Sequence, residues 1–133
     1  MILVDTSVLL DIVTADPFWR PKSLAAFVTA QARDQICING VIFAELSVGY
    51  DRIEALEEML LGSSISLAPV PRSALFLAGK AYLRYRQSTG TKTGVLPDFF
   101  IGAHAAIAGA PLLTRDVSRV RSYFPSVVLI EPV

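Results

Sequence analysis

Five short, mainly apolar runs, each followed or separated by stretches with helical spacing, constrain this chain more than any other feature. They are Ile2–Val4, Ile36–Ile38, 65–70 (ISLAPV), 111–114 (PLLT) and 127–130 (VVLI). Such runs lack the in–out alternation of a strand with one wet face. They suit strands buried on both sides, as in parallel sheets covered by helices. Parallel strands also need long crossover connections, and the intervening segments are long enough to supply helices. The punctuation agrees. Thr6 or Ser7 can cap a helix over 8–13, and Asn39 one over GVIFAELSVGY. Asp51 can cap a helix that Gly62 ends. Pro21, Pro71 and Pro97 each sit well at a helix start, opening helices to about Arg33, Gln87 and Ala108. A short helix is expected over 119–123. The expectation is an α/β fold, a three-layer α/β/α sandwich around a central, mainly parallel sheet, with residues 1–133 in a single domain.

Composition narrows the setting. Hydrophobic residues make up 53% and mean hydropathy is +0.51. The longest stretch without Asp, Glu, Lys or Arg, 99–114, carries His104, Gly102, Gly109 and Pro111 and does not read as a membrane span. No basic region precedes the first apolar run, and Asp5 interrupts it, so no secretory signal is read there. A cytoplasmic protein is expected, its apolar excess covered by a partner or a second copy. The single cysteine, Cys37, excludes an internal disulfide and a thiolate zinc cluster, and reads as a small buried residue. The single histidine, His104, excludes multi-histidine metal sites and reads as structural or surface-lying. Gly102, Ala103, Ala105 and Ala106 suit close helix–sheet packing. Phe18 and Trp19, in the Pro-flanked segment ADPFWRP, read as capping the core, with an exposed partner site as the alternative.

The acids carry the chemistry. In open α/β sheets, ligands bind beyond the carboxyl ends of the strands. Asp5 stands at such an end, and Asp116 follows the fourth run directly in LLTRD. Glu45 interrupts the apolar VIFAEL, and Asp98 lies in the first turn after Pro97. Each has a simpler explanation on its own: a cap at Asp5, a solvent face at Glu45, a favourable helix N-terminus at Asp98, a turn at Asp116. Together they would converge on one sheet edge and repel one another. A divalent cation would relieve that conflict, and an all-oxygen donor set favours Mg²⁺ or Mn²⁺ over zinc. Carboxylate-held Mg²⁺ keeps water ligands, one of which can attack a phosphodiester. Thr6, Ser7 and Thr114 are the hydroxyls placed to support a water or phosphate oxygen, or else to cap.

Asp5 in MILVDTSVLL, Glu45 in FAEL, Asp98 in LPDFFIGAHA and Asp116 in LLTRD, in that order and at ordinary spacing, resemble the PIN domain. The closer likeness is to the VapC-type toxins of toxin–antitoxin pairs. The resemblance implies a Mg²⁺- or Mn²⁺-dependent endoribonuclease that hydrolyses RNA phosphodiester bonds with a metal-activated water. It maps Asp5, Glu45, Asp98 and Asp116 onto the family's catalytic and metal-binding acidic quartet, and Thr6 or Thr114 onto its supporting hydroxyls. It also implies a homodimer, or a heterotetramer or larger assembly with a cognate VapB-type antitoxin. Rival readings fit less well. A haloacid-dehalogenase phosphatase needs a second Asp where Ser7 stands, and a receiver domain needs a Lys and an acceptor Asp that 65–70 and 127–133 do not supply. A PIN-like nuclease acting on DNA and a non-catalytic binding module on the same fold remain the alternatives.

Charge divides unevenly along the chain. Residues 1–66 hold nine acids and four bases, net −5, and residues 67–133 hold three acids and eight bases, net +5. The second half suits a polyanion. Lys80, Arg84, Arg86, Lys92 and Arg115 are the candidate phosphate contacts, which would give affinity with little sequence information.

Overall fold

The computed structural model describes residues 1–88 and 94–133. Its strands are β1 (Ile2–Val4), β2 (Ile36–Ile38), β3 (Ile65–Leu67), β4 (Leu112–Leu113) and β5 (Leu129–Ile130). The helices among the described residues are α1 (Thr6–Val13), α2 (Arg20–Arg33), α3 (Gly40–Ser47), α4 (Ile53–Gly62), α5 (Arg72–Ser88), α6 (Leu96–Ala108) and α7 (Val117–Tyr123). The sheet is wholly parallel, in the order β3-β2-β1-β4-β5. Crossovers between parallel strands are right-handed. Travel from β1 out to β3 therefore lays α1–α4 on one face, and the return to β4 and β5 lays α5–α7 on the other, giving the α/β/α layers.

This order makes β1 the central strand. Its three residues are fully enclosed, Leu3 and Val4 at 0% exposure. Leu3 sits opposite Cys37 on one side and Leu112 on the other. The chain turns left of β1 for β2 and β3 and right for β4 and β5, so the switch point lies between the carboxyl ends of β1 and β4. Those ends lead into Asp5 and Thr114.

Local chemistry explains most boundaries. Asn39 caps α3 by accepting the Ile42 amide at 3.0 Å. Its amide nitrogen meets His104 Nδ1 at 3.1 Å, so the buried His104 links α6 to the start of α3 and is structural. Burial holds its pKa below the usual histidine value. At Gly102 a side chain has no room: an added Cβ would lie 2.5 Å from the Phe124 ring. Gly109 ends α6 in the left-handed region, at φ 63°.

Of the caps read for α1, the structure takes Asp5 rather than Thr6 or Ser7, its carboxylate accepting the Thr6 amide at 2.8 Å. Two other expectations are corrected. Asp51 does not cap α4; Arg52 occupies that position with no side-chain cap, while the helix ends at Gly62 as expected, with the left-handed residue at Ser64. Phe18 does not cap the core. It is 61% exposed, edge-on to the half-buried Trp19, with the Lys22 ammonium 4.3 Å from its ring centre. Asp16 forces this by accepting the Phe18 and Trp19 amides, a tight turn that directs Phe18 outward. No helix among the described residues is long and apolar enough to cross a membrane.

Candidate active site

The β1–β4 ladder runs one residue beyond β1, since the Asp5 amide donates to the Leu113 carbonyl at 2.9 Å. That bond sets the Asp5 side chain beside Thr114. One carboxylate oxygen, Oδ1, takes the Thr6 amide. The other, Oδ2, accepts from Thr114 Oγ1 at 2.8 Å and Ser7 Oγ at 3.1 Å. Burial pushes the Asp5 pKa up, the three hydrogen bonds oppose it, and the Asp116 charge adds a further upward push.

The same hydroxyls bring in the other acids. Thr6 Oγ1 donates to Glu45 Oε1 at 2.6 Å, tying α1 to α3. Thr114 Oγ1 accepts the Asp116 amide at 3.0 Å while donating to Asp5. Asp98 enters from the first turn of α6, where Pro97 serves as an early helical residue. Its pKa is raised to about 6, first by burial, then by the Asp5 charge; Arg119 opposes this, and Asp116 and Glu45 add to it. The charges of Asp5, Asp116 and Glu45 thus all bear on Asp98, and that of Asp116 bears on Asp5. Ile101, Leu112, Val120 and Phe124 give the pocket that Asp5, Asp98, Thr114 and Asp116 line its apolar wall.

One residue of the site was not singled out from the sequence. Arg119 Nη1 lies 2.6 Å from Asp98 Oδ2 and 3.2 Å from Asp116 Oδ2. Asp116 occupies the N-cap position of α7 yet makes no side-chain cap, because its carboxylate turns to Arg119 instead. The Asp116–Arg119 spacing of three on a helix was the available signal.

The predicted cationic residues are placed differently from one another. Lys80, Arg84 and Arg86 are exposed on α5. Tyr85 on the same helix lies 5.9 Å from the Arg119 guanidinium, which brings the last turns of α5 to the pocket rim. Lys92 lies outside the described residues. Arg115 faces away from the acids: its Nη2 donates to Asp11 Oδ1 at 3.0 Å, its Nε lies 2.9 Å from Asp11 Oδ2, and its guanidinium covers Trp19 at 4.6 Å. Asp11 is buried and also accepts from Ser23 at 2.7 Å.

Carboxylates and hydroxyls without sulfur or imidazole form a donor set for a hard divalent cation. The Asp98 carboxylate is disfavoured first by burial and then by the charges of Asp5, Asp116 and Glu45, a condition such a cation relieves. As they stand, no three acid, imidazole or thiol groups among the described residues are gathered tightly enough to hold an ion. Arg119 is the cation between Asp98 and Asp116.

The family model of the PIN domain matches residues 2–121. The chain belongs to the PIN-domain family. Solved structures with the same fold include VapBC2 from Rickettsia felis bound to a fragment of promoter DNA, at 20% identity, 98% coverage of both chains and a TM-score of 0.73. DNA-bound VapBC from Salmonella typhimurium aligns at 16% identity, 100% coverage of both chains and a TM-score of 0.72. A toxin–antitoxin complex from Klebsiella pneumoniae aligns at 20% identity over 100% of this PIN domain and 98% of that chain, with a TM-score of 0.70. No curated protein matches the chain significantly.

Proposed function

We propose that this PIN domain is a divalent-metal-dependent endoribonuclease, the toxin of a VapBC-type pair, working in the cytoplasm. The observation that carries the reading is that Asp5, Asp98 and Asp116, from separate segments, line one pocket at the switch point, with Thr114 joining Asp5 to Asp116 and Thr6 joining Glu45 to the same helix start. The toxin role rests on the fold shared with toxin–antitoxin complexes. Mg²⁺ or Mn²⁺ would be held by Asp5, Asp98 and Asp116 with Glu45, and when bound would activate water and offset charge on the scissile phosphate.

The chain's own residues prepare that site. Thr114 and Ser7 hold the Asp5 carboxylate, and Thr6 holds Glu45, so that neither acid is free to rotate away. The Asp98 carboxylate, disfavoured first by burial and then by the Asp5 charge, is one whose ionised form a bound cation would stabilise. Lys80, Arg84 and Arg86 on α5 would meet the RNA backbone. A homodimer, and a heterotetramer or larger complex with a VapB-type antitoxin, complete the proposal. The exposed apolar residues Phe76, Leu61 and Val48 leave surface for such partners.

Purified wild type and Asp5→Asn, incubated with a cellular RNA pool in Mg²⁺, Mn²⁺ or EDTA, test the reading. Cutting by wild type alone, abolished by EDTA, is expected. The Asn side chain keeps the oxygen that caps Thr6, and both hydroxyls can turn to accept from its amide, so the fold should survive. Cutting by Asp5→Asn at the wild-type rate would overturn the site. Cleavage of single-stranded DNA but not RNA would favour the DNA-nuclease alternative.

A further inference from the structure

A guanidinium stands where the acid cluster most needs positive charge. Arg119 Nη1 bridges Asp98, in the first turn of α6, and Asp116, at the N-cap of α7. The Arg119 side chain is 22% exposed, and the acids it bridges are 40% and 47% exposed. These contacts use carboxylate lone pairs that a divalent ion would also need, and a carboxylate oxygen engaged by a guanidinium is a poorer ligand. The cluster contains no ready-made ion cage among the described residues, although Asp5, Asp98 and Asp116 line one pocket together with Arg119.

We infer that Arg119 is the resident counter-cation of the acid cluster and that a divalent ion binds by displacing it from Asp98 and Asp116. The inference rests on the metal-site reading above. Arg119 is then a residue that sets metal affinity rather than a catalytic residue. It offsets part of the acids' charge before loading, and its removal should tighten metal binding. In the bridging position its guanidinium carbon already lies 5.9 Å from the Tyr85 ring, a neighbour that can take a cation.

The test is Mn²⁺ binding, by calorimetry and by loss of the free-ion spin-resonance signal, to wild type, Arg119→Gln and Arg121→Gln. Arg121 lies on the same short helix and pairs with Glu131 at 3.4 Å, away from the acids, so its variant controls for the loss of one positive charge. Arg119→Gln should bind Mn²⁺ on the order of five- to tenfold more tightly than wild type, the scale of two partly exposed ion pairs released from competition. Arg121→Gln should stay within about twofold, as a distant screened charge would. A second readout is nuclear magnetic resonance of the arginine side chains in wild type. The Arg119 Nε–H signal should shift or broaden on titration with Mg²⁺, and the Arg115 signal should not. Equal Mn²⁺ affinity in wild type and Arg119→Gln, or equal tightening in both variants, overturns the displacement and leaves the metal site standing. Binding to none of the three proteins overturns both.

Discussion

Arg115 and Arg119 stand four residues apart, carry the same group and each meet acids across the fold, yet they do different work. Arg115 faces one acid, Asp11, whose side chain is 4% exposed, and covers the pair with Trp19. Arg119 is shared between two acids that solvent reaches. A buried acid with a single cationic partner cannot release it without being stranded, so the Asp11–Arg115 pair is a fixed tie between α1 and the turn that carries Thr114 and Asp116. Two half-exposed acids can exchange one cation for another. The number and exposure of the partners, not the residue type, separates a structural arginine from an exchangeable one.

That contrast can be broken by measurement. The largest effect is expected from Arg115→Met, which leaves Asp11 buried and unpaired. Its urea unfolding should show a loss of about 3–5 kcal/mol, and a loss below about 1 kcal/mol would erase the distinction. Arg119→Met should change stability by no more than about 1 kcal/mol, read from the same curves. A subtler effect is expected from pH. The Asp98 pKa is raised from 3.8 to about 6 in the fold, so the folded state binds the proton more tightly than the unfolded one. Its contribution is therefore full below the unfolded value and is lost as pH rises through about 6. Asp98→Asn should flatten that part of the stability profile and leave the protein more stable than wild type at pH 7. An unchanged slope between pH 4 and 6 would mean that burial and the neighbouring acids raise Asp98 less than its placement requires. The smallest effect is that of salt: raising it should weaken the Arg119 contribution and leave that of Arg115 nearly intact.

The strands were readable because solidly apolar triplets such as Ile2–Val4 and Ile36–Ile38 have few other places to go, and the parallel arrangement follows from what separates them. Asn39 announced its cap by residue type. The acids were readable as candidates because each interrupts an apolar context or follows a strand. Their partners were not. Asp11 reads as one more residue of α1, and its link to Arg115 spans 104 positions, which only the folded topology brings together. Arg119 carried a local signal in its spacing from Asp116, but a surface i,i+3 pair is common enough that the fold had to supply Asp98 before it meant anything. Phe18 was misplaced for a related reason: hydrophobic type predicts burial only where the backbone lets the side chain turn inward, and Asp16 holds that turn outward.

The central place of β1 governs when the protein becomes whole as well as where its site lies. Its first neighbour, β2, follows within about 35 residues, but its second, β4, comes only near the far end of the chain. The Thr114–Asp5 hydrogen bond joins residues 109 positions apart. A chain made from its N-terminus must hold one side of its innermost strand open until residues 112–116 have emerged, and long-range pairings of this kind form late. The half that emerges first contains Asp5 and Glu45 with no Asp98, Asp116 or Arg119. The proposed acidic set is thus completed only once the last strands have emerged, and incomplete products of synthesis carry only part of it.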